Sequence, residues 1–196
     1  MELDFLESIF VNFLCILDHD KIFLNRNLIT RCIAYALLIS HDIRRDTSMT
    51  ILLRAHDAYD VIFLVGNKLR QLRPDERSTW GILGKALKRL NASKRRLSRA
   101  HWGVYTLRDV SSQDIQKLKS DYKCMIITEH SGKDLLVSSL PKGPLLIILD
   151  VKPLRLSPHE YEILHLTGSY KYAVGEVPVD YAISIVNWML DNRVKI

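Results

Sequence analysis

The run Leu145-Leu146-Ile147-Ile148-Leu149-Asp150 is apolar without alternation, is set off by Pro141, Gly143 and Pro144, and delivers a carboxylate at its carboxyl end. An unbroken apolar strand of this kind fits a sheet covered on both faces, and in such sheets ligand-holding loops follow the carboxyl ends of the strands. Upstream, Cys124-Met125-Ile126-Ile127-Thr128 has the same character and enters the polar loop Glu129-His130-Ser131-Gly132. Before it, Ser111 with Asp114 three residues later starts a short helix through Leu118. Downstream, Ser157-Pro158-His159-Glu160 starts a helix through Leu166 that Gly168 ends, and residues 170–174 form a last strand before Gly175. Ala182, Ile185, Val186 and Met189 are the stripe of a final helix.

The amino-terminal half alternates in the same way. Residues 5–24 read as two short strands around the polar turn Asp18-His19-Asp20-Lys21. Leu28, Cys32, Tyr35, Ala36 and Ile39 form a helical stripe, followed by strands at 49–53 and 61–65, the latter stopped by Gly66. Trp80, Leu83, Leu87 and Leu90 mark another helix, with Pro74 tolerated in its first turn, and residues 103–107 another strand. Strands alternating with helices predict an α/β fold with a largely parallel sheet.

Composition bounds the function. A chain of 196 residues with 47% apolar content can fill one core. The 28 Lys and Arg against 22 Asp and Glu give +6, and the pI near 9.2 makes the surface attractive to polyanions, nucleic acid first among them. Lys85, Lys88, Arg89, Lys94, Arg95, Arg96 and Arg99 occur with no acid among them, and Trp102 and Tyr105 follow. This pattern suits phosphate neutralisation and base stacking, and it equally describes a solvated face. Cys15, Cys32 and Cys124 form no CxxC pair, and the seven histidines are scattered, so neither a disulfide framework nor a metal site is expected. The acidic start argues against a secretory signal, and the apolar run 9–17 is too short to span a bilayer, so no membrane association and a cytoplasmic location are expected. No GxSxG, GxxxxGK[ST] or GxGxxG occurs, which removes the usual signatures of serine hydrolases, P-loop enzymes and dinucleotide binders.

What remains is acid–base chemistry with cations close by. Ser40-His41-Asp42-Ile43-Arg44-Arg45-Asp46 concentrates charge behind the first helix, and Arg73-Pro74-Asp75-Glu76-Arg77 repeats the mixture before the second. Arginines beside Asp42 and Asp46 keep the carboxylates ionised and can fork onto phosphate or a developing anion. The same residues also read as a salt-bridged helix terminus. The two clusters are candidates for one shared site.

Strung together, residues 40–46, Val65-Gly66-Asn67-Lys68-Leu69, Pro74-Asp75-Glu76-Arg77, Lys85-Ala86-Leu87 and Gly103-Val104-Tyr105 resemble the archaeal tRNA pseudouridine-54 N1-methyltransferases of the SPOUT superfamily. The resemblance is specific over residues 31–107 and continues in pattern beyond them. It implies a single SPOUT domain with a trefoil knot, residues 1–110 carrying the substrate side and 111–196 the knot. It further implies a homodimer, S-adenosylmethionine as donor, and methylation of N1 of a pseudouridine in the tRNA T-loop.

By the same resemblance the donor would be held by three loops, through Ile127, Thr128 and Gly132, through Leu149 and Asp150, and through Val177 and Ala182. Leu149 stands where the family has glycine. Val174-Gly175-Glu176-Val177-Pro178 and Ala182 replace a Leu-Ser-Pro-Leu-type loop and a cysteine. Pseudouridine N1 must lose a proton for transfer, so Asp42 is the candidate base, with Asp46 second. Arg44 and Arg45 would position phosphate or the uracil anion, and Arg73, Arg77, Lys94, Arg95 and Arg96 would extend the RNA surface. A non-catalytic SPOUT-fold RNA-binding protein and a ribosomal RNA pseudouridine methyltransferase are the alternatives.

Overall fold

The computed structural model describes residues 9–40, 42–92 and 96–192. The chain opens with strand β1 (Val11–Asp18), followed by a single-turn helix α1 (Lys21–Leu24) and helix α2 (Arg26–Leu37). The second strand expected before residue 24 is therefore helical. Only Ile22 of α1 is buried, whereas Phe23 and Leu24 face outward, so the apolar run there is not a core strand.

A small ladder of β2 (Leu38–Ile39) and β3 (Asp42–Ile43) leads into β4 (Thr47–Ala55) and β5 (Ala58–Val65). The pair β4–β5 is an antiparallel hairpin, with Ala55 opposite Ala58 across His56 and Asp57, where the sequence suggested a longer connection. Helix α3 (Glu76–Ala92) follows, capped by Asp75, whose Oδ1 accepts from Ser78 N at 2.7 Å; Pro74 precedes this helix. Residues 96 and 97 lead into β6 (Ser98–His101), which pairs with β7 (Val104–Val110).

The carboxyl-terminal half runs α4 (Ser112–Lys119), β8 (Lys123–Thr128), the short β9 (Lys133–Asp134) and β10 (Leu145–Asp150). It finishes with α5 (Pro158–Ile163), β11 (Tyr170–Ala173) and α6 (Val179–Asn192). Both expected caps form: Ser111 Oγ accepts from Asp114 N, and Ser157 with Glu160 closes a capping box. Helix α5 stops at Leu164, before Gly168 is reached.

Among the described residues one nine-stranded sheet runs β6-β7-β5-β4-β1-β10-β8-β11-β9. Pairs from β4 to β9 are parallel, and the β6-β7-β5 flank is antiparallel. Strand β1 shows why no alternation is visible. Phe13, Cys15 and Leu17 join the core under α2, α3 and α6, while Leu14 and Ile16 join the one under α4 and α5. Both faces of the strand are buried, so every position from Phe13 to Leu17 is apolar.

Register fixes the two ends of this sheet. Thr47 pairs with Val11, and Val11 with Leu145, so the segment preceding β4 lies at the amino end of β10. Asp150 pairs with Thr128 at the other end, roughly 17 Å away along the strand.

Candidate active site

Asp42 projects into solvent, its side chain 73% exposed. Its Oδ1 accepts from Ile43 N at 2.6 Å and from Arg45 Nη2 at 3.1 Å. The Ile43 amide and then the Arg45 guanidinium hold its carboxyl below the usual aspartate value, so it is ionised at neutral pH. Arg45 also donates through Nη1 to the carbonyls of Gly66 at 3.3 Å and Leu69 at 3.1 Å, stapling the 66–69 segment to the charged cluster. That staple requires glycine at 66. A Cβ there would lie 1.9 Å from the carbonyl oxygen of Arg44 and 2.4 Å from that of Thr47.

Arg44 turns the other way, forked onto Asp191 near the end of α6 with Nη1–Oδ1 at 2.7 Å and Nη2–Oδ2 at 2.6 Å. Asp46 is exposed and accepts from the Thr47 hydroxyl, and its backbone carbonyl anchors Phe10 N and Val11 N. Both arginines of the first cluster are thus engaged within the chain, as a salt-bridged terminus requires.

Two clefts adjoin this segment and share Leu38, Ser40 and Pro74 as a wall. The larger, about 640 Å³, gathers Asp42 and Arg45 from the first cluster with Arg70, Gln71 and Arg73 from the approach to α3. The two charged clusters therefore meet in one depression. The smaller, about 260 Å³, lies between α2 and α6 and is lined by Tyr35, Arg44, Asn187 and Trp188. Ser40 at φ 47° and Gln71 at φ 62° occupy the left-handed region without being glycine. Such backbone costs on the order of 1–3 kcal/mol and persists only where surrounding contacts impose it.

The remaining expected RNA contacts are dispersed. Arg73 lines the large cleft, Arg77 is exposed on the first turn of α3, and Arg96 is exposed ahead of β6. Lys94 and Arg95 lie outside the described residues, as does His41. Glu76 accepts from Arg31 Nη1 at 3.3 Å, and Arg31 Nε donates to the buried Asp180 at 2.8 Å, so this carboxylate orients an arginine.

The three carboxyl-terminal loops converge at the other end of the sheet. Val174 N donates to Thr128 O and Gly175 N to Glu129 O, each at 3.0 Å. Glu129 is the tie that sequence reasoning missed: Oε1 accepts from Lys152 N at 3.0 Å and Oε2 from Arg155. The Lys152 amide and then Arg155 hold its carboxyl below the ordinary glutamate value. Its only signal in the sequence was an acid directly after a buried strand.

Asp150 caps its own loop, accepting from Leu156 N at 2.9 Å and from the Tyr161 hydroxyl. Thr128 Oγ1 exchanges hydrogen bonds with the backbone of Ser131, and Gly132, at φ 120°, folds against the backbone of Lys171. Ile127, Leu149 and Ala182 are fully buried in the core that α6 covers, with Val177 packed at its edge. The Leu149 side chain therefore forms part of the floor beneath the loops. Among the described residues no group of three or more His, Cys, Asp or Glu could hold a metal ion, and no helix is long and apolar enough to cross a membrane.

Residues 25–178, which include the large cleft and most of the three loops, match a family described as "Putative SAM-dependent RNA methyltransferase". A tRNA (pseudouridine(54)-N(1))-methyltransferase of Haloferax volcanii is 30% identical over 84% of this chain and 82% of its own length. The chain belongs to the tRNA pseudouridine-54 N1-methyltransferase family. The member from Methanocella arvoryzae is 29% identical over 85% of both chains. The family fold is also that of a solved structure, Archaeoglobus fulgidus Nep1 bound to S-adenosylhomocysteine. It superposes with a TM-score of 0.59 at 13% identity, covering 96% of this chain and 99% of that one.

Proposed function

We propose that this protein transfers a methyl group from S-adenosylmethionine to N1 of pseudouridine 54 in the T-loop of tRNA, as a homodimer in the cytoplasm. The observation that carries this reading is family membership across residues 25–178, a span holding both the charged cleft and the loops at the opposite sheet end. The chain then acts as one SPOUT domain, with residues 1–110 supplying the substrate side and residues 111–196 a trefoil-knotted donor side.

The loop residues fit the donor. Backbone polar groups of the 128–132, 150–156 and 173–178 segments stand over an apolar floor that includes Ile127, Leu149, Leu154 and Ala182, suited to an adenosyl thioether. Asp180, on the first turn of α6, keeps a buried Oδ1 that has no partner among the described residues, an acceptor available to an ammonium or hydroxyl. When bound, the donor supplies an electrophilic methyl sulfonium.

The rest is the work of side chains. Asp42 is ionised, exposed and directed into the cleft, placed to take the N1 proton of a pseudouridine seated there. Asp46 does not line that cleft, which favours Asp42 as base. Arg45 holds Asp42 in place, while Arg70 and Arg73 supply cations for the RNA backbone.

Within one copy the cleft and the loops lie at opposite ends of the sheet, too far apart for direct transfer. A two-fold dimer relieves this by setting one subunit's cleft beside its partner's loops. The face of α2 and α6 bearing the exposed Tyr35 and Trp188 is the candidate interface. Titration calorimetry with S-adenosylmethionine tests the reading: saturable binding is expected, and no heat at millimolar donor would overturn it in favour of a non-catalytic RNA-binding protein.

A further inference from the structure

Trp102 is a large aromatic residue, 49% exposed, on the turn between β6 and β7. Two guanidiniums lie over its ring, that of Arg70 at 4.2 Å from the centroid and that of Arg99 at 4.9 Å. Both arginines are exposed, and among the described residues neither pairs with a carboxylate. A guanidinium stacked on an indole keeps its N–H donors in plane, pointing outward for phosphate.

The turn is held rigidly against the cleft. Gly103 adopts φ 70°, its carbonyl accepts from Val65 N at 2.8 Å, and a Cβ on it would fall 2.3 Å from Leu69 N. The backbone carrying Trp102 thus rests directly on the segment that Arg45 staples to Asp42. Arg70 belongs to both places, lining the cleft and stacking on the indole.

We infer that Trp102, with Arg70 and Arg99, is a stacking platform for an unpaired nucleotide of the substrate RNA next to the one seated in the cleft. The platform rests on the methyltransferase reading for its ligand and extends it from the modified base to a neighbour. A base stacks on this layered surface, on a guanidinium plane or the open part of the indole, while the outward N–H donors take the adjoining phosphates, giving a contact selective for single-stranded loop over duplex. Two exposed cations with no carboxylate partner among the described residues match the charge of a phosphate backbone, which favours RNA as the occupant.

The test measures the affinity of the full chain for a pseudouridine-containing T-arm stem-loop and for a blunt duplex of equal length, across a salt series. Trp102→Ala is expected to weaken the stem-loop by about tenfold or more and leave the duplex unchanged, and Trp102→Phe to retain most of the affinity. Arg70→Gln and Arg99→Gln should each flatten the salt dependence by about one unit of slope. Unchanged stem-loop affinity in Trp102→Ala, or equal losses on both RNAs, would overturn the platform. So would loss of the dimer in sedimentation, which would make this surface a subunit contact. If Asp42→Asn still abolishes turnover in that case, the methyltransferase reading survives. Wild-type protein that binds neither RNA would overturn both.

Discussion

Arg44 and Asp191 join the segment behind α2 to the end of α6 through a two-pronged ion pair, at 2.7 and 2.6 Å. The Arg44 side chain is 13% exposed, and its buried Nε has no partner among the described residues, so the fork carries the polar satisfaction of this guanidinium. Asp191 is 41% exposed, which limits the strength of the pair. Asp191→Ala is expected to cost about 1–2 kcal/mol in denaturant unfolding, with part of the loss masked at high salt. A double-mutant cycle with Arg44→Ala that shows no coupling would separate the two residues.

Asp42→Asn should leave RNA affinity within about twofold and lower turnover by roughly a hundredfold or more. Its carboxyl lies below 3.8 because the Ile43 amide and Arg45 favour the charged form. The carboxylate is therefore already deprotonated at neutral pH, and an acid limb that comes from protonating Asp42 is centred below the ordinary aspartate range. An acid limb centred near pH 6 that vanishes in Asp42→Asn would contradict this assignment of its state.

Stability against acid is set largely at the far end of the sheet. Burial raises the Glu160 pKa, but Arg54, forked onto it at 2.7 and 2.7 Å, and the Ser157 amide outweigh burial and leave it below 4.5. A depressed carboxyl contributes stability that is fully present above the unfolded value and disappears as pH falls through the folded one. Wild-type stability should accordingly drop between about pH 5 and 3. Arg54→Gln leaves Glu160 buried without its cation, costing about 3–5 kcal/mol at neutral pH. With burial opposed chiefly by Ser157 alone, the Glu160 pKa would rise, and this variant should recover part of the loss on mild acidification. Parallel stability–pH curves for the two proteins would sink this account.

The separation of cleft from loops gives a complementation test of the proposed dimer. Asp42→Asn and Glu129→Gln should each be nearly inactive, the second because it frees the loops that Glu129 ties. Mixed and allowed to exchange subunits, they should regain about one quarter of the wild-type rate, since half the dimers are mixed and one of their two sites is intact. No recovery despite proven exchange would place both parts of a site in one chain.

The carboxyl-terminal half of the fold was readable because β8 and β10 are buried on both faces and the caps at Ser111 and Ser157 use local hydrogen bonds. Composition misled at α1, where Phe23 and Leu24 are apolar but exposed, and tertiary position rather than propensity decides that turn. Strand β6 was hidden inside the basic run because only Ser98 of its four residues is buried. The meeting of the two charged clusters could be anticipated from their likeness, but not the engagement of Arg44 by Asp191, 147 residues away. Glu129 escaped notice because its partners are a backbone amide and an arginine on another loop, neither adjacent in sequence.

The most direct test of the central claim is methyl transfer from radiolabelled S-adenosylmethionine to two T-arm RNAs that differ only in carrying pseudouridine or uridine at position 54. Label in the pseudouridine RNA, at N1, with none in the uridine RNA is the expected result. Equal label in both, or none in either with donor and RNA bound, would contradict the account.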